Sequence, residues 1–139
     1  MNCDGLSLGT AAFPGLPQRV AAARCRARRM VAEGLGVEPD AEHETLESVE
    51  LLTSEVVTNA IKYTRSGKCG WIRLSVLRTD RTIRIEVVDQ GGARTTPRVI
   101  DDPCGESGRG LLLVKALAKA WGVEPASSGG VCTWFELEL

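Results

Sequence analysis

The sequence predicts an α/β fold: a two-layer sandwich with three helices packed on one face of a mixed β-sheet. Three observations predict it. Two long segments carry apolar residues at helical spacing, and three carry them at alternate positions. These segments interleave along the chain. The length of 139 residues fits one domain, with no repeat, low-complexity tract or linker to divide it.

Residues 6–12 read as a short strand, stopped by Pro14 and Gly15. A helix is expected from about Pro17 to Glu33, with proline in its first turn and Gly34 and Gly36 closing it. Its apolar side is Val20, Ala23, Ala27, Met30 and Val31. A second helix is expected from near Thr45 to near Tyr63, because Val49, Leu52, Val56, Ala60 and Tyr63 recur at helical spacing. Ser66 and Gly67 break it.

Two strands follow. Ile72, Leu74 and Val76 alternate with polar residues, and so do Ile83, Ile85 and Val87. The short link at Thr79–Arg81 predicts an antiparallel hairpin. Periodicity then disappears from Gln90 to Ser107, a stretch too long for an idle loop in a small domain. A third helix is expected from near Gly108 to Ala120 or Trp121, burying Leu111, Val114, Leu117 and Ala118. A last strand, about Cys132 to Leu139, directs Thr133, Phe135, Leu137 and Leu139 to one face.

Composition excludes several functions. Net charge is −1, which gives no bulk attraction to nucleic acid or an anionic membrane. No apolar run approaches a membrane span, and the start lacks the basic and apolar regions of a signal peptide, so a cytoplasmic protein is expected. Five widely spaced cysteines without a C-x-x-C pair point to reduced thiols. His43 is the one histidine, which leaves little material for a histidine-based triad or metal site; its polar surroundings read as solvent.

Three segments carry candidate chemistry. Glu55 and Asn59 are four apart on the second helix and so are neighbours on the flank of its apolar stripe. A carboxylate and an amide there are costly unless satisfied, and a hydrated magnesium ion would satisfy them. Glu55 would then be placed to act as general base. Asp89 ends an apolar strand and is followed by Gly91, Gly92 and Ala93; a carboxylate fixed there can accept from an amino group such as that on adenine. Gly105, Gly108 and Gly110 surround Arg109 at a helix start, which suits an anion. The spacing matches neither a P-loop nor a dinucleotide fingerprint. Taken singly, each also fits an ordinary structural role: a helix boundary pair, a strand exit, a helix entry.

Together they occur in the order E-x-x-x-N, D-x-G-x-A, long loop, G-R-G. In that order the sequence resembles the histidine-kinase-type ATPase superfamily of gyrase B, Hsp90 and MutL, and within it the stand-alone anti-sigma-factor serine kinases of actinobacterial type. SEVVTNAIKYT, VVDQGGARTTPR, ESGRGLLLVKALAKAWGV and WFELEL carry the resemblance, as does FPGLPQRVAAARCRARRMVAEGLG, so it runs from about Phe13 to the C-terminus.

The resemblance implies a Bergerat-type ATP-binding fold using ATP and Mg2+. It assigns Asn59 as the magnesium ligand and Glu55 as the general base. It places Asp89 on the adenine amino group beside Gly91 and Ala93. Gly108, Arg109 and Gly110, followed by Leu111, become the phosphate box. The loop of about 90–107 becomes a lid, matched most closely from Arg94 to Ser107. Thr133 supports the nucleotide loosely. The implied activity is a serine/threonine protein kinase acting on an anti-anti-sigma-type regulator and controlling a sigma factor, with a homodimer left open. A non-catalytic, nucleotide-gated partner-switching module is the alternative; the detached catalytic domain of a histidine kinase is weaker, since no dimerisation and phosphoacceptor segment is present. Three departures stand out: Tyr63 where relatives often have histidine, Val131 where many have lysine, and Ala93 for a glycine. Finally, Arg19, Arg24, Arg26, Arg28 and Arg29 give the first helix a basic character that fits either solvent or an acidic partner.

Overall fold

In the computed structural model, residues 5–63, 70–90, 114–127 and 129–139 are described. Among them, five strands form one sheet in the order β1-β2-β3-β5-β4. They are β1 (Leu6–Pro14), β2 (Trp71–Arg78), β3 (Thr82–Asp89), β4 (Ala120–Pro125) and β5 (Val131–Glu138). Helices α1 (Val20–Leu35) and α2 (Glu44–Tyr63) lie between β1 and β2 in sequence.

Local chemistry explains the helix ends. Pro17 sits in a single 3-10 turn, Pro17–Arg19, that leads into α1. Gly36 ends α1 in the left-handed conformation, φ 72°, which lets its N–H return to the carbonyls of Ala32 and Glu33. At the start of α2, the Thr45 N–H donates to His43 Nδ1 at 3.2 Å. The histidine therefore caps the helix instead of facing solvent idly. Glu44 and Glu47 in the first turn complement the helix dipole. Arg28 staples the two helices: its guanidinium donates to the carbonyls of Pro39 and Ala41 and lies 3.6 Å from Glu50.

The core is the layer between the helices and one sheet face. Ala23, Ala27 and Val31 of α1 and Leu46, Val49, Leu52 and Val56 of α2 meet Leu74, Ile85 and Phe135. Alternation does the sorting: Ile83, Ile85 and Val87 are buried while Arg84, Glu86 and Val88 turn to the other face.

Every described strand pairing is antiparallel, so the expected mixed sheet is corrected. Two helices join β1 to β2, and the chain returns to the end it left: Pro14 pairs with Trp71. β3 and β4 do run the same way, but β5 inserts between them and pairs antiparallel with both. The third helix also ends earlier than expected. Residues 114–117 are helical; then the Lys119 N–H donates to the Glu136 carbonyl, and Ala120 begins β4. Val114 is buried as expected, whereas Leu117 is 47% exposed. Gly122 favours the strand because the Trp134 ring lies where its Cβ would stand, with ring atoms 2.8 Å away.

The sheet face away from the helices holds a charged cluster. The Arg84 guanidinium stacks 4.1 Å from the Trp134 ring centre and pairs with Glu86 and Glu136. Burial pulls down the Arg84 pKa, but hydrogen bonds and charges from both glutamates leave it raised. Cys132, on this face, is pushed up from 9.0 to about 11, first by burial and then by Glu86 and Glu124. Its thiol ionises in the unfolded chain before it does in the folded one. Stability from this group is therefore whole below pH 9 and lost between pH 9 and about 11. Denaturation midpoints should fall across that window more steeply for the wild type than for Cys132→Ala. No helix among the described residues is long and apolar enough to cross a membrane.

Candidate nucleotide site

The direction of α2 sets the site. Its first residues, Glu44, Thr45 and Ser48, line a cavity with Leu137, Glu138 and Leu139 at the far end of β5. Its last turn precedes β2, which begins at Trp71, beside the end of β3. α2 thus runs the same way as β3, and its C-terminal half lies at the Asp89 end of the sheet.

Asn59 falls in that half, at the end of the stripe Leu52, Val56, Asn59, and is 6% exposed. The sequence placed it on the stripe's flank; the structure places it within the stripe. Its Nδ2 is buried with no hydrogen-bond partner among the described residues. An orphaned buried amide costs about 1–3 kcal/mol. Such a cost is tolerated where a ligand removes it. Rotating the terminal torsion exchanges nitrogen for oxygen, so this position can equally present a carbonyl ligand. Glu55, one turn earlier, is half-buried at the stripe's edge.

Asp89 is the last residue of β3 and is 3% exposed. Strand alternation from Ile85 and Val87 turns its side chain to the helix-facing side. Thr133 lies on β5 opposite Val87, whereas Asp89 lies opposite Val131. Thr133 is therefore the diagonal neighbour of Asp89 on the same face, about 7–8 Å away by strand geometry. Thr133 is also buried. The strand-end carboxylate and the hydroxyl thus lie toward the same end of the sheet as the amide and half-buried carboxylate of α2.

Gly130 is a site residue that the sequence pattern did not single out. A Cβ there would collide with the Asp89 carbonyl oxygen. The turn before β5 is tied by Ala126 N–H to Gly130 O at 2.8 Å, and Gly129 is left-handed at φ 94°. The Gly-Gly pair before an apolar strand was the available signal. Gly130→Ala is expected to cost about 1–3 kcal/mol as the turn and strand end separate. It should also weaken nucleotide binding, because Asp89 moves with its backbone. Chemical denaturation and nucleotide titration of the variant check both.

Gly91, Ala93, Gly108, Arg109, Gly110, Leu111 and the lid at about 90–107, Gln90 apart, lie outside the described residues, as does the side chain of Tyr63.

The donor set suits a hydrated magnesium ion, which takes few protein oxygens and keeps several waters. Asn59, whose buried Nδ2 has no partner among the described residues, can meet that need by turning its amide oxygen inward.

A family model described as histidine kinase-like ATPase domain matches residues 13–136. That span contains every candidate site residue. No curated protein matches the chain.

Proposed function

The chain belongs to the histidine kinase-like ATPase domain family and is an ATP-binding domain, and from that premise we propose that it is a regulatory serine/threonine protein kinase. Its substrate in this reading is an anti-anti-sigma-type regulator in the cytoplasm, and its output is control of a sigma factor. The observation that carries the reading is the buried, unmatched amide of Asn59 one turn from half-buried Glu55, at the Asp89 end of the sheet. The resemblance of SEVVTNAIKYT and ESGRGLLLVKALAKAWGV to the stand-alone serine kinases supports the substrate class.

Each residue has a task. Asp89 accepts from the exocyclic amino group of adenine, and Thr133 supports the base from the neighbouring strand. Asn59 would hold magnesium through its amide oxygen, with Gly108, Arg109 and Gly110 on the phosphates. Bound magnesium would offset negative charge on the phosphates. Glu55 takes the proton of the acceptor hydroxyl as that oxygen bonds to the γ-phosphorus. The bond from the γ-phosphorus to its bridging oxygen breaks, and ADP leaves with the electron pair.

Val131 favours a second reading. It stands where many stand-alone relatives have lysine, and it pairs with Asp89. Without that cation the domain acts as a nucleotide-gated switch that exchanges partners and transfers nothing. Incubation with labelled ATP, magnesium and a candidate regulator separates the two. Label appearing on serine or threonine establishes the kinase. ATP binding without any transfer overturns it in favour of the switch.

A further inference from the structure

We propose that the free edge of β1 and the arginine stripe of α1 form a docking groove for an extended acidic segment of a partner protein. The segment adds to the sheet beyond β1 and sets carboxylates at alternate positions against Arg26 and Arg29.

Among the described residues β1 is an edge strand, paired with β2 alone. Its sequence, LSLGTAAFP, has no charged residue. Soluble proteins usually protect such an edge with charge, proline or a covering element, because its unpaired N–H and C=O groups recruit another strand. Here a bulge between Ser7 and Gly9 interrupts the ladder, and Pro14 ends it. From Thr10 to Phe13 the register is regular, and no second strand pairs with it among the described residues.

The five arginines of this region divide by role. Arg24 reaches Ser54, and Arg28 is held by Pro39, Ala41 and Glu50. Arg19, Arg26 and Arg29 are exposed and make no ion pair or side-chain hydrogen bond among the described residues. Arg26 and Arg29, three apart, share one face of α1, and Arg19 stands seven positions before Arg26 at the helix cap. Arg26 and Arg29 line a groove of about 380 Å³ with Leu8, Gly9, Thr10, Met30 and Glu33. The cations therefore stand beside the Leu8–Thr10 part of β1, where the bulge gives way to the regular edge.

Geometry fixes the ligand's pattern. Side chains two apart on a strand share a face and are about 6.6 Å apart. Arg26 and Arg29 are about 4.5 Å apart along the helix axis. Their long side chains bridge the difference, so carboxylates at positions i and i+2 reach one guanidinium each. Glu33 at the far rim disfavours a third carboxylate there. A second copy of this chain is a poor occupant: its own β1 brings no carboxylate and would set arginines against arginines. Main-chain pairing would provide affinity and the alternate carboxylates specificity.

Fluorescence anisotropy tests this with a labelled, amidated peptide, Thr-Glu-Val-Glu-Thr-Thr-Val. The wild type should bind it saturably, and more weakly as salt rises. Its lysine counterpart and a backbone-N-methylated analogue should bind at least about tenfold more weakly, the one through lost charge pairing and the other through lost strand pairing. Arg26→Glu/Arg29→Glu, checked for an unchanged melting temperature, should reverse the preference and favour the lysine peptide. Absence of saturable binding to the wild type overturns the proposal. So does equal binding of the methylated analogue, which would show that no strand is added.

Discussion

Glu55→Gln is expected to slow phosphotransfer by about 10²–10⁴-fold while leaving ATP affinity nearly unchanged. The substitution keeps the size and shape of the side chain and removes its ability to take a proton. Glu55 is half-buried beside the apolar stripe of α2, so the packing of Leu52 and Val56 is undisturbed. Asn59, one turn away, keeps its place. Single-turnover transfer from labelled ATP, run beside nucleotide titration, separates the chemical step from binding. A loss of affinity matching the loss of rate would assign Glu55 to nucleotide binding and remove its role as base.

Asp89→Asn is expected to weaken ATP binding by about 10–150-fold, since a hydrogen bond to a buried charged group contributes about 1.5–3 kcal/mol. Asparagine is nearly isosteric and can still form the strand end against Val131. What it lacks is a second strong acceptor for the amino group of adenine. The comparison with Thr133→Val is informative. Both residues are buried on the same sheet face, yet the threonine should cost less because its hydroxyl is neutral. Isothermal titration of both variants, with melting curves to establish folding, provides the ranking. Equal losses would place the base elsewhere.

These expectations rest on features of unequal visibility in the sequence. The ends of α1 were legible because Pro17 and Gly36 act through their own backbone dihedrals. The β2–β3 hairpin was legible because period-two alternation flanks a short polar link. Glu55 and Asn59 were visible as polar groups beside an apolar stripe. The depth of Asn59 was not, since burial depends on which face meets the sheet. β4 was missed because Val114, Leu117, Ala118 and Trp121 continue one helical spacing into it, and its glycine and proline weaken any strand alternation. The strand forms because Trp121 packs on the core and Gly122 admits the Trp134 ring. Both are decisions made with residues elsewhere in the chain. The antiparallel sheet was likewise hidden: inserting β5 between β3 and β4 is a non-local choice. Gly130 carries its meaning through the carbonyl of Asp89, forty-one positions earlier (130 − 89), a contact no local pattern encodes.

Calorimetric titration of the folded protein with ATP, in the presence and absence of magnesium, tests the central claim most directly. One-to-one binding that magnesium tightens, with the gain removed by Asn59→Ala, is the predicted result. Heats no larger than dilution, or an affinity indifferent to magnesium and to Asn59, would contradict it.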